Sequence, residues 1–216
     1  MSHDGGRFTV VGHRGERFAA ERLLVATGRR VELDRLGVSV LGVAADARAL
    51  PVDDRLRVVG APGVWAVGDA TGKGAFTHMA MYQADIAVRA ILGQGGRAAE
   101  YHAVPRVTFT DPEIGAVGLT EAQARAEGLA VRTGWTDLAA SSRGFVHGRG
   151  SDGFIKLVAV DDHLVGATAA GPSGGEVLGL LTLAVQTRTP LADLAATIWA
   201  YPTFHRAVGS ALQPLL

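Results

Sequence analysis

The stretch that decides the fold is Pro105 to Ala124, PRVTFTDPEIGAVGLTEAQA. Arg106 to Thr110 alternates polar and apolar residues, as a half-buried strand does, and Ile114 to Leu119 has the composition of a second strand. Thr120 followed by Gln123 fits a capping box, in which both side chains bind free backbone N–H groups at a helix start. This stretch therefore predicts two strands followed by a helix.

The residues after Ala124 continue with further strands and then helices. Gly128 predicts the end of the first helix. The pattern then predicts strands over 129–136, 153–160 and 163–170, a helix over 175–187, a helix with Pro190 at its first position, and a helix from Pro202. Strands followed by segregated helices are typical of an α+β fold.

The residues before Pro105 are less regular. Arg7 to Val11 and Arg17 to Ala19 flank the turn G-H-R-G and predict a β-hairpin. Apolar runs predict a buried strand over 22–27, strands over 55–59 and 64–67, and a helix over 79–92. The residues 31–54 predict a loop with short strand pieces, and the Gly- and Ala-rich residues 93–103 predict a domain boundary.

Composition excludes several classes of protein. The 216 residues are 48% hydrophobic and 19% charged, which is typical of a globular chain. Lys+Arg and Asp+Glu are both 21, so no net field recruits nucleic acid or an anionic membrane. Without cysteine there is no disulfide and no thiolate metal site, and no metal ligand set is predicted. No signal peptide or membrane span is evident, so we expect a soluble, cytoplasmic protein.

The clearest candidate site is GVWAVGDATG, Gly63 to Gly72. An apolar strand that ends in Gly68-Asp69 can place a carboxylate at the C-terminal edge of a sheet, where ligands bind in open α/β folds. Gly68 allows close approach of a ligand, and Asp69 can accept hydrogen bonds from two sugar-type hydroxyls. The alternative is an ordinary strand-to-helix turn in which Asp69 caps the helix.

A second candidate is LLVATGR, Leu23 to Arg29, in which an apolar run ends at Thr27-Gly28. Taken alone, it is as well explained by a core strand followed by a glycine turn.

The order of these three blocks makes the chain resemble the FAD-dependent pyridine nucleotide–disulfide oxidoreductases, the family of dihydrolipoamide dehydrogenase, glutathione reductase and mercuric reductase. LLVATGR resembles the segment where the chain returns from the NAD(P)H domain to the FAD domain. PGVWAVGDATG resembles the second FAD motif, which implies that Asp69 binds the ribityl chain of the flavin. Pro105 to Ala124 resembles the opening of the dimerisation domain.

The resemblance implies a domain order and a partner. Residues 1–22 would be the last hairpin of the NAD(P)H domain, and 23–103 the C-terminal portion of the FAD-binding α/β domain. Residues 104–216 would be an α+β dimerisation domain, an antiparallel sheet with helices that forms a homodimer after about Val104. The resemblance also implies that Thr77-His78-Met79-Ala80 lie along the isoalloxazine, with backbone amides near its pyrimidine edge. His78 is alternatively a helix-start residue.

The segment IWAYPTFHRAV, Ile198 to Val208, departs from the family. Disulfide-reducing members carry a His-Pro-Thr-x-x-Glu pattern whose histidine and glutamate form an acid–base pair, and here Tyr201 and Arg206 stand at those positions. A phenol is a poor base at neutral pH, and an arginine accepts no hydrogen bond. Tyr201 is our candidate for the residue nearest the partner's flavin. His205 is the other acid–base candidate, although on a helix it would point roughly 100° away from the glutamate position.

The family's G-x-G-x-x-G turn, redox cysteine pair and NAD(P)H-binding unit are absent from this sequence. We therefore expect the chain to be the C-terminal part of an NAD(P)H-dependent FAD oxidoreductase that does not exchange dithiols. We also expect that this part alone holds FAD weakly and is inactive. The alternative is a self-association module with no chemistry of its own.

Overall fold

The computed structural model describes residues 1–44 and 46–216. The eight strands of these residues are β1 Ser2–Asp4, β2 Arg7–Val11, β3 Arg17–Ala20, β4 Pro105–Thr108, β5 Glu113–Gly118, β6 Val131–Asp137, β7 Phe154–Val160 and β8 His163–Gly171. The six α-helices are α1 Thr77–Ile91, α2 Glu121–Ala126, α3 Ser142–His147, α4 Gly174–Thr187, α5 Leu191–Ala195 and α6 Ala207–Leu212.

The second half of the chain is an antiparallel sheet covered by helices, with strand order β4-β5-β8-β7-β6. Helix α4 packs on β5 and β8, and α6 packs on β6 and β7. Apolar side chains of the sheet and of α4 to α6 form one continuous core. This arrangement confirms the predicted α+β class.

Two close approaches set the positions of the covering helices. Gly175 N–H, in the first turn of α4, donates to Glu113 Oε2 at 2.9 Å, which ties this helix to the edge of β5. Gly134 of β6 faces α6 so closely that an added Cβ would lie 1.8 Å from Ala211 O. A side chain at position 134 would therefore push α6 off the sheet.

The capping box of α2 is present as predicted. Thr120 Oγ1 accepts from Gln123 N–H at 3.2 Å, and Gln123 Oε1 accepts from Thr120 N–H at 2.9 Å. The helix ends at Ala126, and Gly128 follows with a φ of +78°. Both sequence signals therefore lie where their local geometry requires them.

The first half of the chain has less regular structure. The predicted hairpin is present as β2 and β3, and β1 extends it to three strands. The predicted strand over 22–27 is wrong: these residues have no regular structure, and Leu24 is 90% exposed. A strand needs a neighbour for its backbone groups, and within the described residues this segment pairs with none.

The strands predicted over 55–59 and 64–67 are also wrong. Only isolated bridges occur there, Val52 with Val58 and Arg57 with Trp65. The region is instead a set of tight turns around a small apolar cluster. Part of the predicted loop over 31–54 forms the 3-10 turns Leu33–Leu36 and Val38–Leu41, and its residue 45 lies outside the described residues.

Two predictions near the C-terminus need correction. Pro190 precedes α5 as its N-cap, with extended backbone, rather than standing at its first helical position. The last helix begins at Ala207 and not at Pro202. Thr203 Oγ1 donates to Ala200 O at 2.8 Å and accepts from Arg206 N–H at 3.3 Å, so Thr203 caps a turn that precedes the helix. His205 therefore lies in a turn and not on the predicted helix.

Helix α3 was not predicted, since it is one short turn-like helix whose N-cap is Ser141, with Ser141 Oγ accepting from Gly144 N–H at 3.0 Å. In the part of the chain that the structure describes, no helix combines the length and the apolar character needed to cross a bilayer.

Candidate functional site

Asp69 lies on a single 3-10 turn, Gly68–Thr71, directly after the extended residue Val67. Gly68 has a φ of +73°, a conformation that residues with a Cβ rarely adopt, and Gly72 ends the turn with a φ of +66°. The Asp69 side chain is 36% exposed and lines an open cleft of about 710 Å³. The turn thus presents a carboxylate to solvent from a fixed backbone.

Gln83 of α1 holds this turn from behind. Gly68 N–H donates to Gln83 Oε1 at 2.6 Å, and Gln83 Nε2 donates to Thr71 Oγ1 at 3.1 Å and to Tyr101 Oη at 3.2 Å. Thr71 Oγ1 in turn donates to Gly68 O at 2.8 Å. Gln83 and Thr71 are buried. The backbone of the Gly68-Asp69 turn is therefore locked onto α1 by side-chain hydrogen bonds.

Arg29 connects the Thr27-Gly28 segment to the same cleft. Its guanidinium lies 3.4 Å from Asp69 Oδ2 and also donates to Ala75 O. Thr27 and Gly28 themselves are exposed, and the Thr27 hydroxyl forms no hydrogen bond with any described residue. The structure therefore brings this segment to Asp69 through Arg29, a residue that the sequence did not single out. The Arg29 side chain is 66% exposed, so solvent screens its ion pair with Asp69.

The N-terminus of α1 lies beside the turn, with Gly68 packed against Ala80. Met79 and Ala80 N–H groups both donate to Phe76 O, at 3.0 and 3.2 Å. The amides of Thr77 and His78 come earlier in the helix and have no intrahelical acceptor. Of the four predicted backbone amides, only those of Thr77 and His78 are thus free to meet a ligand.

The contacts of the His78 ring are with other parts of the chain and not with the Asp69 cleft. Its Nε2 lies 2.9 Å from Pro105 O at the start of β4, and its ring stacks on Phe76 with centroids 5.1 Å apart. These contacts join the start of α1 to the first strand of the five-stranded sheet.

Tyr201 and His205 lie in the other half of the chain. Tyr201 is exposed, and the Arg206 guanidinium lies over its ring at 5.4 Å. The pocket beside Pro202 has a volume of about 220 Å³ and shares no lining residue with the Asp69 cleft. Within one chain, the predicted acid–base candidates and the predicted flavin-contacting residues are thus not brought together.

Gln83 was missed by the sequence analysis although a signal was present. Met79, Ile86 and Ala87 form the buried face of α1, and Gln83 occupies the same face at helical spacing. An amide on an otherwise apolar face must find hydrogen-bond partners, which here are the turn that carries Asp69. No group of three or more possible metal-binding side chains occurs among the residues that the structure covers.

Comparisons with known proteins match this arrangement. The model of the pyridine nucleotide-disulphide oxidoreductase dimerisation domain matches residues 104–212, and that of the pyridine nucleotide-disulphide oxidoreductases matches residues 1–84. Dihydrolipoyl dehydrogenase from Staphylococcus aureus is 37% identical over 187 residues, which are 85% of this chain and 39% of that protein. Dihydrolipoyl dehydrogenase 3 from Haloarcula marismortui is 33% identical over 90% of this chain and 41% of its own length.

Solved structures agree. LpdA from Mycobacterium tuberculosis has a TM-score of 0.82 and 27% identity, covering 96% of this chain and 46% of its own. The HOCl-induced flavoprotein disulfide reductase RclA from Escherichia coli has a TM-score of 0.80 and 26% identity, covering 97% of this chain and 48% of its own. The chain thus spans less than half the length of these relatives. On the matches over both of its halves, the chain belongs to the pyridine nucleotide-disulphide oxidoreductase family.

Proposed function

We propose that this chain is the flavin-contacting and self-associating region of an NAD(P)H-dependent FAD oxidoreductase that does not use a His–Glu acid–base pair. The observation that carries the proposal is the partly exposed Asp69 carboxylate, held on a turn that Gln83 binds, beside two free N–H groups of α1. Membership of the oxidoreductase family supports the reaction class.

The residues present fit a flavin. Ribityl hydroxyls are donors, and the Asp69 carboxylate is a partly exposed acceptor whose ion pair with Arg29 is screened by solvent. The free Thr77 and His78 N–H groups, at the positive end of the α1 dipole, suit the electron-rich edge of an isoalloxazine. When bound, the flavin would accept a hydride from NAD(P)H. Gln83 keeps the Asp69 turn and the N-terminus of α1 in one fixed relation.

FAD binding tests this proposal. We expect the purified chain to be colourless and to quench FAD fluorescence only at high ligand concentration, because these residues contact one part of the cofactor. Asp69→Asn should weaken this binding by about tenfold, the effect of losing a charged hydrogen-bond acceptor. Asp193→Asn, on α5, serves as the control. Equal affinity of the two variants would contradict the role of Asp69, and a yellow sample with stoichiometric flavin would contradict the expectation of weak binding.

The environment of Tyr201 supports the proposal that the protein does not exchange dithiols. Arg206 stacks on the Tyr201 ring and so cannot orient it as a carboxylate orients a histidine. His205 is half-buried in the preceding turn and is the weaker candidate. We propose that Tyr201 lies nearest the partner's flavin site as a hydrogen-bond donor.

We further propose the division into 1–22, 23–103 and 104–216, with a homodimer formed after Val104. The dimerisation-domain match and several exposed apolar side chains of this part support it, among them Ile198, which is 98% exposed. Light scattering should show a dimer, and Ile198→Asp should shift it toward the monomer. Ile91→Asp, at an exposed isoleucine of α1, is the matched control. A monomer at high concentration would contradict the proposal.

The second candidate function is a self-association module without chemistry. The pairing of Arg29 with Asp69 favours it, because this ion pair occupies the carboxylate that a flavin would need. Adding FAD, NAD(P)H and an N-terminal fragment of a related flavoprotein to the purified chain, and following nicotinamide oxidation, separates the two. The module predicts no oxidation in this mixture, whereas the flavin-contacting region predicts oxidation above that of the N-terminal fragment alone. Cytoplasmic location stays a prediction.

A further inference from the structure

A second cavity, of about 490 Å³, shares no lining residue with the Asp69 cleft, although its Lys73 stands in sequence between Gly72 and Gly74 of that cleft. It is open to solvent on one side and is bordered by the ends of β5 and β8, the C-terminal end of α4 and the segment that leads into β4. Its volume falls in the range of pockets that hold small organic molecules, about 300–1,000 Å³.

The inner wall of this cavity is apolar and firmly placed. Leu164 and Val185 belong to the main core and are almost fully buried, and Val104 and Leu119 extend the same surface. The Tyr101 ring stands beside them, held by the hydrogen bond from Gln83 Nε2 and by an edge-to-face contact with Tyr82 at 6.4 Å. Burial raises the pKa of Tyr101 despite the opposing hydrogen bond from Gln83, so its hydroxyl is neutral at physiological pH.

The rim of the cavity is positively charged. Lys73, Arg106 and Arg188 line it, and none of them forms an ion pair with any carboxylate among the described residues. Lys73 Nζ lies 5.5 Å from the centre of the Tyr101 ring. Glu127 is the one acidic side chain of the lining, so three basic side chains line the cavity with one carboxylate, in a chain whose net charge is zero.

We propose that this cavity binds a small phosphate monoester with an apolar, ring-sized body. The body lies on the Tyr101 ring and the valine and leucine side chains, and the phosphate meets Lys73, Arg106 and Arg188. Arginine pairs with phosphate oxygens through two parallel N–H groups, and a compact ammonium adds a point charge. A neutral ligand with the same apolar ring would leave the three basic side chains without an anionic partner. Inorganic phosphate would leave the apolar wall exposed to water.

Titrations of the 15N-labelled chain with three probes, followed by amide NMR shifts, test the proposal. We expect 1-naphthyl phosphate to cause saturable shifts at Val104, Leu119 and Val165. The neutral 1-naphthol and inorganic phosphate should each bind about tenfold more weakly or worse, because a charge-assisted hydrogen bond contributes about that factor. Shifts that do not saturate, or equal affinity for 1-naphthol and its phosphate, would overturn it.

Variants locate the binding at these cations. Arg106→Gln and Arg188→Gln together should weaken binding of 1-naphthyl phosphate by about tenfold or more, since two charge-assisted contacts are lost. Arg143→Gln, at an arginine that lines the separate pocket beside Pro202, is the matched control and should bind as the wild type does. If the double variant fails to fold, Lys73→Gln at an exposed loop position replaces it. Unchanged affinity in a folded variant would overturn the assignment.

Discussion

Gln83 of α1 bonds three residues through one side-chain amide: Gly68 and Thr71, which both belong to the Asp69 turn, and Tyr101. Gly68 is itself buried, so its N–H has no access to water if Gln83 Oε1 is removed. A buried donor without an acceptor is more costly than the hydrogen bond is favourable. Gln83 is therefore a positioning residue for Asp69.

Gln83→Met keeps the length of the side chain and removes its hydrogen bonds. We expect the free energy of unfolding to fall by about 1–3 kcal/mol, the usual range for an unsatisfied buried polar group. Urea denaturation measures it. Gln94→Met, at an exposed glutamine just after α1, is the control and should change stability little. A Gln83→Met protein as stable as the wild type would show that Gly68 finds another acceptor.

Glu121 connects α2 to the sheet through Lys156, and its pKa is lowered from the ordinary value of a glutamate. Lys156 Nζ donates to Glu121 Oε2 at 2.6 Å, and Arg125 Nε and Nη2 donate to Oε1 at 3.0 and 2.9 Å. The hydrogen bond from Lys156, followed by that from Arg125, lowers the pKa of Glu121. A carboxyl whose pKa is lower in the folded state stabilises the fold above its unfolded-state pKa, and this is lost as pH falls through the folded-state pKa.

The corresponding prediction concerns the pH dependence of stability. Wild type should be more stable than Glu121→Gln at neutral pH, and the difference should shrink as the solution is acidified below the pKa of a free glutamate. Denaturation series at several pH values measure it. Glu127→Gln, at the end of the same helix, removes a carboxylate that has no ion-pair partner in the described structure and serves as the control. A constant difference between wild type and Glu121→Gln would refute the link to titration.

The site residues that belong to one continuous sequence motif could be predicted from the sequence. Gly68, Asp69 and the start of α1 follow one another along the chain, and the structure places them side by side. Arg29 and Gln83 were not found, because their roles depend on contacts across 40 and 15 residues of sequence, Arg29 with Asp69 and Gln83 with Gly68. The roles assigned to all of these residues remain predictions.

Two glycines in the second half of the chain differ in the space available for an added side chain. Gly134 of β6 is buried against the α6 backbone, where a Cβ would lie 1.8 Å from Ala211 O. Gly179 lies in the middle of α4, exposed, with nothing within 4 Å of an added Cβ. One glycine is required by packing, and the other only weakens its helix.

Alanine at these two positions should therefore act in opposite directions. Gly134→Ala should destabilise the chain by about 1–3 kcal/mol or more, since α6 must shift to admit the methyl group. Gly179→Ala should stabilise it by about 0.5–1 kcal/mol, the difference between alanine and glycine in a helix interior. Thermal and urea denaturation measure both. A stabilising Gly134→Ala would mean that α6 does not rest on β6 as described.

Elements with local signals were predicted well, and those that depend on distant partners were not. The capping box at Thr120 fixes α2 from four residues, and the strands predicted over 153–160 and 163–170 are present as β7 and β8, joined by the Asp161-Asp162 turn. The apolar run over 22–27 has strand composition, yet a strand also needs a neighbour, which no local pattern specifies. The turn before α6 was missed since proline and threonine at 202–203 suit a helix start equally well.

Across the whole molecule, the three-stranded sheet β1-β2-β3 makes few contacts with the rest, and its residues are exposed or half-buried. The residues that follow, 21–32, have no helix or strand. By contrast, 105–212 share one continuous core. The two parts should therefore differ in their resistance to proteolysis, which requires local unfolding.

Limited trypsin digestion should cut first among the first 30 residues, at arginines such as Arg22, Arg29 and Arg30, which are all exposed. The resistant product should retain the sheet β4 to β8 intact. Mass spectrometry of early time points identifies the cuts. Early cleavage at Arg149, in the exposed loop between α3 and β7, would contradict this order of stability.

The strand order β4-β5-β8-β7-β6 has a consequence for how the chain folds. The β7–β8 pair closes across a two-residue turn, and β6 lies only one short helix and loop before β7, so these three strands can assemble from local contacts. Pairing β5 with β8 instead requires contact between residues that are far apart in the sequence, such as Val117 and Ala167. The chain loses conformational entropy when these residues are brought together, and it does so before their contacts stabilise the sheet. We therefore expect the pairing of β5 with β8, on which α4 also packs, to form after β6, β7 and β8 have paired.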